Sequence, residues 1–293
     1  MSVLVTGASG FTGRALCAAL HEQGQTVHGL SLRPFHTVPW SNYSVDLRDS
    51  MALHELVAQL QPKTIVHLAA RSFVDDTDNL GFYEHNVVAT THLLDAARAH
   101  GVSRVIVASS ANVYGVPSSD DLPLNESSPL RPVNHYGASK LAMEHIARTY
   151  SDDFALTITR PFNYTGLGQA AHFLVPKLAA HFSQRKVQIA LGNLDIARDY
   201  TSINDVVRAY TLLLGCDAAA GQTVNICSGR VYTLRQLLAL FTQLSGHSLQ
   251  IQSQPQFVRR HDIAVLSGDY ALLHQLCGWQ PTQSIPDLLQ SML

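Results

Sequence analysis

The sequence predicts an α/β fold, a doubly wound parallel sheet with a smaller, interwoven α/β domain. Three observations carry that reading. The run Ser2-Val3-Leu4-Val5-Thr6 feeds a glycine turn, Gly7-Ala8-Ser9-Gly10-Phe11-Thr12-Gly13, which opens an amphipathic stretch over residues 14–22. Short apolar strands then alternate with helix-period segments through the first half, the pattern of parallel strands with helices on both faces. Small and polar residues recur just after those strands, where open parallel sheets bind ligands.

Each part of the opening unit has a physical task. Gly7 allows the tight turn, Gly10 lets the backbone approach a pyrophosphate, and Gly13 lets the helix pack on the strand. The free amides of the helix N-terminus then face the anion. The spacing is Gly7-x-x-Gly10-x-x-Gly13. Its place between a strand and a helix favours a dinucleotide-binding, Rossmann-type unit over glycines kept for sterics alone. A second strand follows over residues 26–32. An NAD-specific fold places an acid at that strand's end to hold the ribose hydroxyls. Here Ser31 stands there, Arg33 follows, and no Asp or Glu occurs from residue 23 to 45. A 2′-phosphate would meet charge-assisted donors, with Arg14 as a further one. The expected cofactor is therefore NADPH, with NADH accepted as well if Arg33 stacks on the adenine or lies in solvent.

Later elements are read in the same way. Residues 53–60 form a helix, 64–68 a buried strand, 86–100 a long helix, 104–108 a strand, 140–150 a helix and 155–159 a strand. Beyond Asn163 the pattern loosens. Residues 173–185 read as a helix, 189–191 as a short strand and 192–199 as polar. A helix begins near Asp205, capped by Ser202 or Asn204; residues 223–227 are a strand and 234–245 a helix. The expected division is a dinucleotide domain of residues 1–162 with 199–228, and a second domain of residues 163–198 with 229–293.

Composition narrows the classes. The 293 residues are 46% hydrophobic and 14% charged, with a net charge of −2. That composition builds a buried core, and carries no electrostatic footprint for nucleic acid. No apolar run reaches membrane-spanning length and no basic-then-apolar leader precedes the first strand, so the expectation is a cytoplasmic protein. Cys17, Cys216, Cys227 and Cys277 have neither metal nor disulfide spacing and read as buried thiols; the 15 histidines show no ligand pattern. His21, His54 and His100 read as solvated, and no metal is expected.

Chemistry enters with Tyr136-Gly137-Ala138-Ser139-Lys140. Four residues apart on a helix, the phenol and the ammonium share a face. A cation beside a phenol favours the phenolate, so the expectation is a Tyr136 pKa lowered toward neutrality and a general acid near pH 7. Ser110, at a strand end, is placed to hold the same carbonyl oxygen.

Together with Ser109-Ser110-Ala111-Asn112-Val113-Tyr114-Gly115, these motifs resemble the extended short-chain dehydrogenase/reductase superfamily over nearly the whole chain. The resemblance implies hydride transfer between nicotinamide and a sugar carbon, with Tyr136 as acid/base, Ser110 as partner of the carbonyl oxygen, and Lys140 serving Tyr136 and the nicotinamide ribose. It implies cofactor contacts from Gly7, Gly10, Phe11, Thr12, Gly13, Ser31, Arg33, Asp46, Leu47, Leu68, Ala69, Ala70, Asn86, Ser109, Tyr136, Lys140 and Pro161.

A narrower resemblance rests on the second half. The segments Arg160-Pro161-Phe162-Asn163-Tyr164-Thr165-Gly166-Leu167-Gly168-Gln169, Phe173-Leu174-Val175-Pro176-Lys177, Gly192-Asn193-Leu194-Asp195, Arg198-Asp199-Tyr200 and Asp205-Val206-Val207-Arg208-Ala209-Tyr210 are similar to the GDP-mannose 4,6-dehydratase and GDP-4-dehydro-6-deoxy-D-mannose reductase group. The length and Leu122-Pro123-Leu124-Asn125-Glu126 favour the reductase side. Asn112 stands where the dehydratase pattern has an acid, and it cannot take a C-5 proton. The resemblance therefore implies reduction of a GDP-linked 4-keto-6-deoxy sugar, with substrate contacts from Ser72, Asn112, Asn163, Val175, Lys177, Asn193, Leu194, Arg198 and Arg259. Arg260 replaces the family's proline beside Arg259, so either arginine could bind phosphate, or the pair could simply bridge to Asp262. The resemblance also implies a homodimer through a four-helix bundle of the helices carrying residues 86–100 and 136–150. Two other readings are a dehydratase or epimerase with tightly bound NAD, and a non-catalytic cofactor sensor; an intact Ser110, Tyr136 and Lys140 argue against the sensor.

Overall fold

The computed structural model describes residues 1–33, 35, 37–72, 78–254 and 263–293. Strands β1 (Ser2–Thr6), β2 (Thr26–Ser31), β3 (Ser41–Ser44), β4 (Thr64–His67), β5 (Arg104–Ala108) and β6 (Ala155–Pro161) are connected largely by helices α1 (Phe11–Glu22), α2 (Ser50–Leu60), α3 (Asn79–Tyr83), α4 (Ala89–Ala99) and α5 (His135–Arg148). There follow β7 (Asn163–Thr165), α6 (Leu174–Ser183), β8 (Gln188–Leu191), β9 (Ala197–Ser202), α7 (Ile203–Leu214), β10 (Thr223–Ile226), β11 (Val231–Thr233), α8 (Leu234–Ser245), β12 (Gln250–Ser253), β13 (Val265–Leu266), α9 (Ala271–Cys277) and α10 (Ile285–Ser291).

Seven strands form one parallel sheet in the order β10-β6-β5-β4-β1-β2-β3. The order reverses between β1 and β4, and open α/β sheets bind ligands at the carboxyl ends of strands at such a point. One face packs α1, α7 and α9 into a core with Leu16, Leu20, Val206, Tyr210, Leu273 and Trp279. The other packs α2, α4 and α5 through Leu53, Val57, Leu93, Leu94, Met143 and Ala147. Both cores follow from apolar residues at helical spacing against strands such as β1 and β4 that are buried along most or all of their length. A smaller sheet, β11-β9-β13 with β7 also on β9, and the pair β12-β8 make the second body, whose core holds Val175, Phe182, Leu191, Tyr200, Leu237 and Phe241.

Several boundaries differ from the sequence reading. Helix α1 begins at Phe11, directly from its N-cap Gly10, and α5 begins at His135, capped by the Asn134 side chain. The expected helix over residues 86–100 is one continuous helical run from α3, interrupted by a π-helical turn at Glu84–Val88. Strand β3 was not expected, because Ser41-Asn42-Tyr43-Ser44 has no apolar run; it is the edge strand. His54 and His100 are half-buried, their rings edge to face at 5.5 Å, where solvated side chains were expected. Cys17, Cys216 and Cys227 are buried free thiols and Cys277 is half-buried.

Asp205 ties the C-terminal residues to the large sheet's side of the molecule. Its carboxylate accepts hydrogen bonds from the amides of Thr282 and Gln283 and from the Thr282 hydroxyl, and its carbonyl accepts one from the Trp279 indole. Among the described residues no helix is long and apolar enough to cross a membrane.

Candidate active site

A cleft of about 1370 Å³ runs along the carboxyl ends of β1, β2, β4, β5 and β6 and continues under the second body. At its floor Gly7 has φ +68°, and a Cβ there would lie 2.8 Å from the Ala69 nitrogen, so the turn closes on the segment after β4 only as glycine. A Cβ on Gly13 would sit 2.2 Å from the Gly7 carbonyl oxygen. Helix α1 therefore approaches the turn more closely than any side chain would permit. Its N-cap, Gly10, supplies no side-chain cap, so the first amides of α1 have no side-chain acceptor at that position.

Three titratable groups sit on one face of α5, and two of them, Tyr136 and Lys140, line the cleft. Tyr136, Lys140 and Glu144 are spaced four apart and all buried. The Ser110 hydroxyl lies close enough to the Tyr136 phenol to favour its ionised form. Burial pushes the phenol's pKa up to about 12, against the lowering by Lys140 that the spacing suggested. The reason is where the ammonium points: Lys140 Nζ donates to the Ala108 carbonyl at 2.7 Å and approaches Met143 Sδ at 3.8 Å. Burial brings Lys140 itself down to about 7, with Glu144 opposing. Behind this face His67 bridges the Thr6 and Thr90 hydroxyls at 2.7 and 2.9 Å, and burial, assisted by the Lys140 charge, lowers it to about 3, so it stays neutral.

Glu144 anchors a buried polar chain. It accepts from the Ser109 hydroxyl at 2.6 Å and from Arg160 Nε and a terminal nitrogen at 2.9 and 2.7 Å. Arg160 also donates to Tyr114 Oη at 3.1 Å, and Tyr114 donates to Asn225 at 2.7 Å. Burial works against the Glu144 charge, but the Arg160 fork prevails and holds the carboxyl below its usual range.

Most of the expected site residues line this cleft: Gly7, Gly10, Phe11, Thr12, Gly13, Ser31, Asp46, Leu47, Leu68, Ala69, Ala70, Ser72, Ser109, Ser110, Asn112, Tyr136, Lys140, Pro161, Asn163, Val175, Lys177, Asn193 and Arg198. Three do not. Arg33 is exposed, and its carbonyl accepts from the Ser31 hydroxyl at 2.8 Å. Leu194 packs on the core of the second body. Asn86 is fully buried in the π-helical turn, where it bonds the Arg71 backbone in both directions and donates to Ser139, so it orients the loop after β4 from behind. Arg259, with Arg260, lies outside the described residues. Arg198 donates to the carbonyls of Ala197 and Ile263, and Asp199 beside it accepts from Ser228 and Gly229. Burial raises Asp199 to about 6. The cleft also takes Arg71, Asn134, Tyr164, Phe173 and Tyr210, which the sequence reading had not placed there. Tyr164 and Arg71 lie within the same strand-end segments that yielded Asn163 and Ala70, so the carboxyl-end rule would have found them.

The NAD dependent epimerase/dehydratase family matches residues 3–227. The chain belongs to this family. Within it, the chain is similar to the GDP-6-deoxy-D-talose 4-dehydrogenase of Aggregatibacter actinomycetemcomitans, 35% identical over 281 residues that cover 95% of this chain and 92% of that protein. It is 31% identical to the GDP-6-deoxy-D-mannose reductase of Pseudomonas aeruginosa, covering 99% and 95% of the two chains. Of solved structures, RMD from Pseudomonas aeruginosa complexed with NADPH has a TM-score of 0.86 at 29% identity, covering 100% of this chain and 98% of that one. The UDP-glucose 4-epimerase of Thermus thermophilus in complex with NAD has a TM-score of 0.89 at 26% identity, covering 100% and 97%. The extended short-chain dehydrogenase/reductase reading and the Rossmann-type sheet of this epimerase/dehydratase chain are thus established, and its relatives act on nucleotide sugars.

Proposed function

We propose that this chain is an NAD(P)H-dependent reductase of the C-4 carbonyl of a GDP-linked 4-keto-6-deoxyhexose, giving GDP-D-rhamnose or GDP-6-deoxy-D-talose. The observation that carries this is the buried grouping of Ser110, Tyr136 and Lys140, the last two on one helix face, in a cleft whose only carboxylate among the described lining residues is Asp46. Asp46 is engaged by Arg48, which holds it down at about 2. Among the described residues the site thus offers hydroxyls and a cation for a carbonyl oxygen, and no free carboxylate to take the C-5 proton of an elimination. The two GDP-sugar relatives support the same reading.

The glycine turn fits a dinucleotide: it is a cradle that a Cβ at Gly7 or Gly13 would fill, with the first amides of α1 at its rim. A bound reduced nicotinamide supplies the hydride. Ser110 then donates a hydrogen bond to the C-4 oxygen, and Tyr136 delivers the proton to that same oxygen. Lys140, whose ammonium is bonded to the Ala108 carbonyl in this structure, would turn from it to stabilise the phenolate left behind. Asn112, Asn163, Val175, Lys177, Asn193 and Arg198 serve the sugar nucleotide, with Arg198 on the diphosphate. In this reading residues 1–162 with 199–228 bind the cofactor and residues 163–198 with 229–293 the sugar nucleotide. NADPH is preferred, because β2 ends at Ser31 with no acid. Helix α4, with the π-helical turn before it, and α5 pair with those of a second copy, a reading favoured by Val88 at 45% exposure and by half-buried Val87, Leu141, Ala142 and Ile146.

The test is incubation with GDP-4-keto-6-deoxymannose and NADPH or NADH, following loss of reduced cofactor and assigning the product sugar by NMR. Product without consumption of added cofactor would replace this reading by the second one, an epimerase or dehydratase with tightly bound NAD, which the similarity to UDP-glucose 4-epimerase favours. A higher kcat/KM with NADH would remove the NADPH preference, and a monomeric mass by light scattering would remove the dimer.

A further inference from the structure

Tyr164 sits on β7, just after the last residues of β6, and reaches back across the cleft to the glycine turn. Its hydroxyl shares a hydrogen bond of 2.8 Å with the Thr12 hydroxyl, in the first turn of α1. Its ring stacks on Phe11, centroids 6.1 Å apart and planes 9° from parallel. Gly166, two residues on, completes the grip. A Cβ there would meet Ile203 at 2.5 Å, so the backbone of this segment packs tightly on Ile203, with the tip of Phe11 at ordinary contact distance, 3.7 Å. The phenol is buried enough that desolvation raises its pKa, with Thr12 opposing, so the hydroxyl stays protonated. The contact joins two segments 152 residues apart: the loop that cradles a diphosphate and the strand that leads into the second body.

From this geometry we infer that Tyr164 is a clasp that retains the dinucleotide: its bond to Thr12 and stack on Phe11 hold the β7 segment over the glycine turn, and the cofactor leaves only when the clasp opens. The inference rests on the proposed use of that turn for a nicotinamide dinucleotide. It differs from a packing role, because the polar link runs between residues that both line the cleft. A neutral hydrogen bond contributes about 1 kcal/mol net, which is roughly fivefold in a rate or equilibrium constant. The stack contributes on a similar scale.

The experiment measures NADPH dissociation from the full chain by stopped-flow fluorescence, with NADH in parallel and thermal unfolding as a control. Tyr164→Phe removes the hydroxyl and keeps the ring; it is expected to speed dissociation about fivefold while the chain still unfolds in one cooperative transition. Tyr164→Ala is expected to speed it further. Thr12→Val should match Tyr164→Phe, and the double variant should be no faster than either single one, since the two changes break one bond. Dissociation within about twofold of wild type in Tyr164→Phe would overturn the clasp, as would additive effects in the double variant. Failure of the wild type to bind NADPH or NADH at all would instead overturn the functional reading beneath it.

Discussion

Lys140 and Arg160 are both buried cations, each 2% exposed, yet the molecule treats them in opposite ways. Lys140 is given a carbonyl and a thioether and, among the described residues, no direct carboxylate contact, and burial brings it into the range where it can exchange its proton near neutrality. Arg160 is given a two-pronged carboxylate and a phenol, and its charge is fixed. Glu144 lies four residues beyond Lys140 on α5 but turns its oxygens to Arg160 and Ser109. One helix face thus separates a titratable end from a permanently charged one. A guanidinium suits the second task and an ammonium the first, because only the ammonium loses its proton readily when desolvated.

Exchanging or deleting the groups at each end tests this division. The largest effect is expected from Tyr136→Phe, which removes the proton donor and keeps the ring: turnover should fall by about 10²- to 10⁴-fold with cofactor binding retained. Near-native turnover would detach the titratable end from chemistry. Lys140→Met should lower turnover and also weaken NADPH binding. At the fixed end the loss should appear in folding. Glu144→Gln leaves the Arg160 guanidinium buried without its counter-charge, and urea unfolding should register a loss of about 3–5 kcal/mol. A loss below about 1 kcal/mol would mean the Arg160 charge is carried by Tyr114 and the Glu126 carbonyl instead. Arg160→Lys keeps the charge but not the fork and should lie between wild type and Glu144→Gln.

A further effect is in the pH dependence of stability. The folded pKa of Lys140 is lowered to about 7 from 10.5. Between those values the unfolded chain holds a proton that the folded chain has released, so this residue makes the fold gain stability as pH rises through the window. Glu144 acts on the acid side: its folded pKa is depressed, so its contribution is present above the ordinary carboxylate range and is lost as pH falls through the folded value. The urea midpoint of Lys140→Met should therefore vary less than that of wild type from about pH 7 upward. Parallel curves for the two proteins would show that Lys140 stays charged throughout.

The two ends were unequally legible in the sequence. Tyr136, Lys140 and Ser110 announce themselves by type and spacing, and the glycine turn by its place between strand and helix. The Glu144–Arg160 pair does not, because its partners are 16 residues apart on a helix and a strand that meet only in the folded sheet. Strand β9 escaped for a related reason. Arg198-Asp199-Tyr200-Thr201-Ser202 reads as polar, yet all but Arg198 are buried, and Asp199 accepts hydrogen bonds from Ser228 and Gly229. Arg33 is a different case: its charge and its place after β2 suggested a phosphate ligand, and its side chain is exposed at that strand end.

Trp279 bears on how the chain is made. A polypeptide is synthesised from its N-terminus, and the large sheet's first six strands are complete by Pro161. The core on one face of that sheet is not. Its buried indole comes from residue 279, and Asp205 finds four of its hydrogen-bond donors only in the Trp279–Gln283 stretch. Leaving an indole-sized hole costs about 3–5 kcal/mol, a large part of the roughly 5–15 kcal/mol that holds a domain folded. The nascent chain therefore carries an unfinished first lobe until the stretch around Trp279 has left the ribosome. A chain truncated before that tryptophan is expected to be less stable than the full one, a loss that urea unfolding would register.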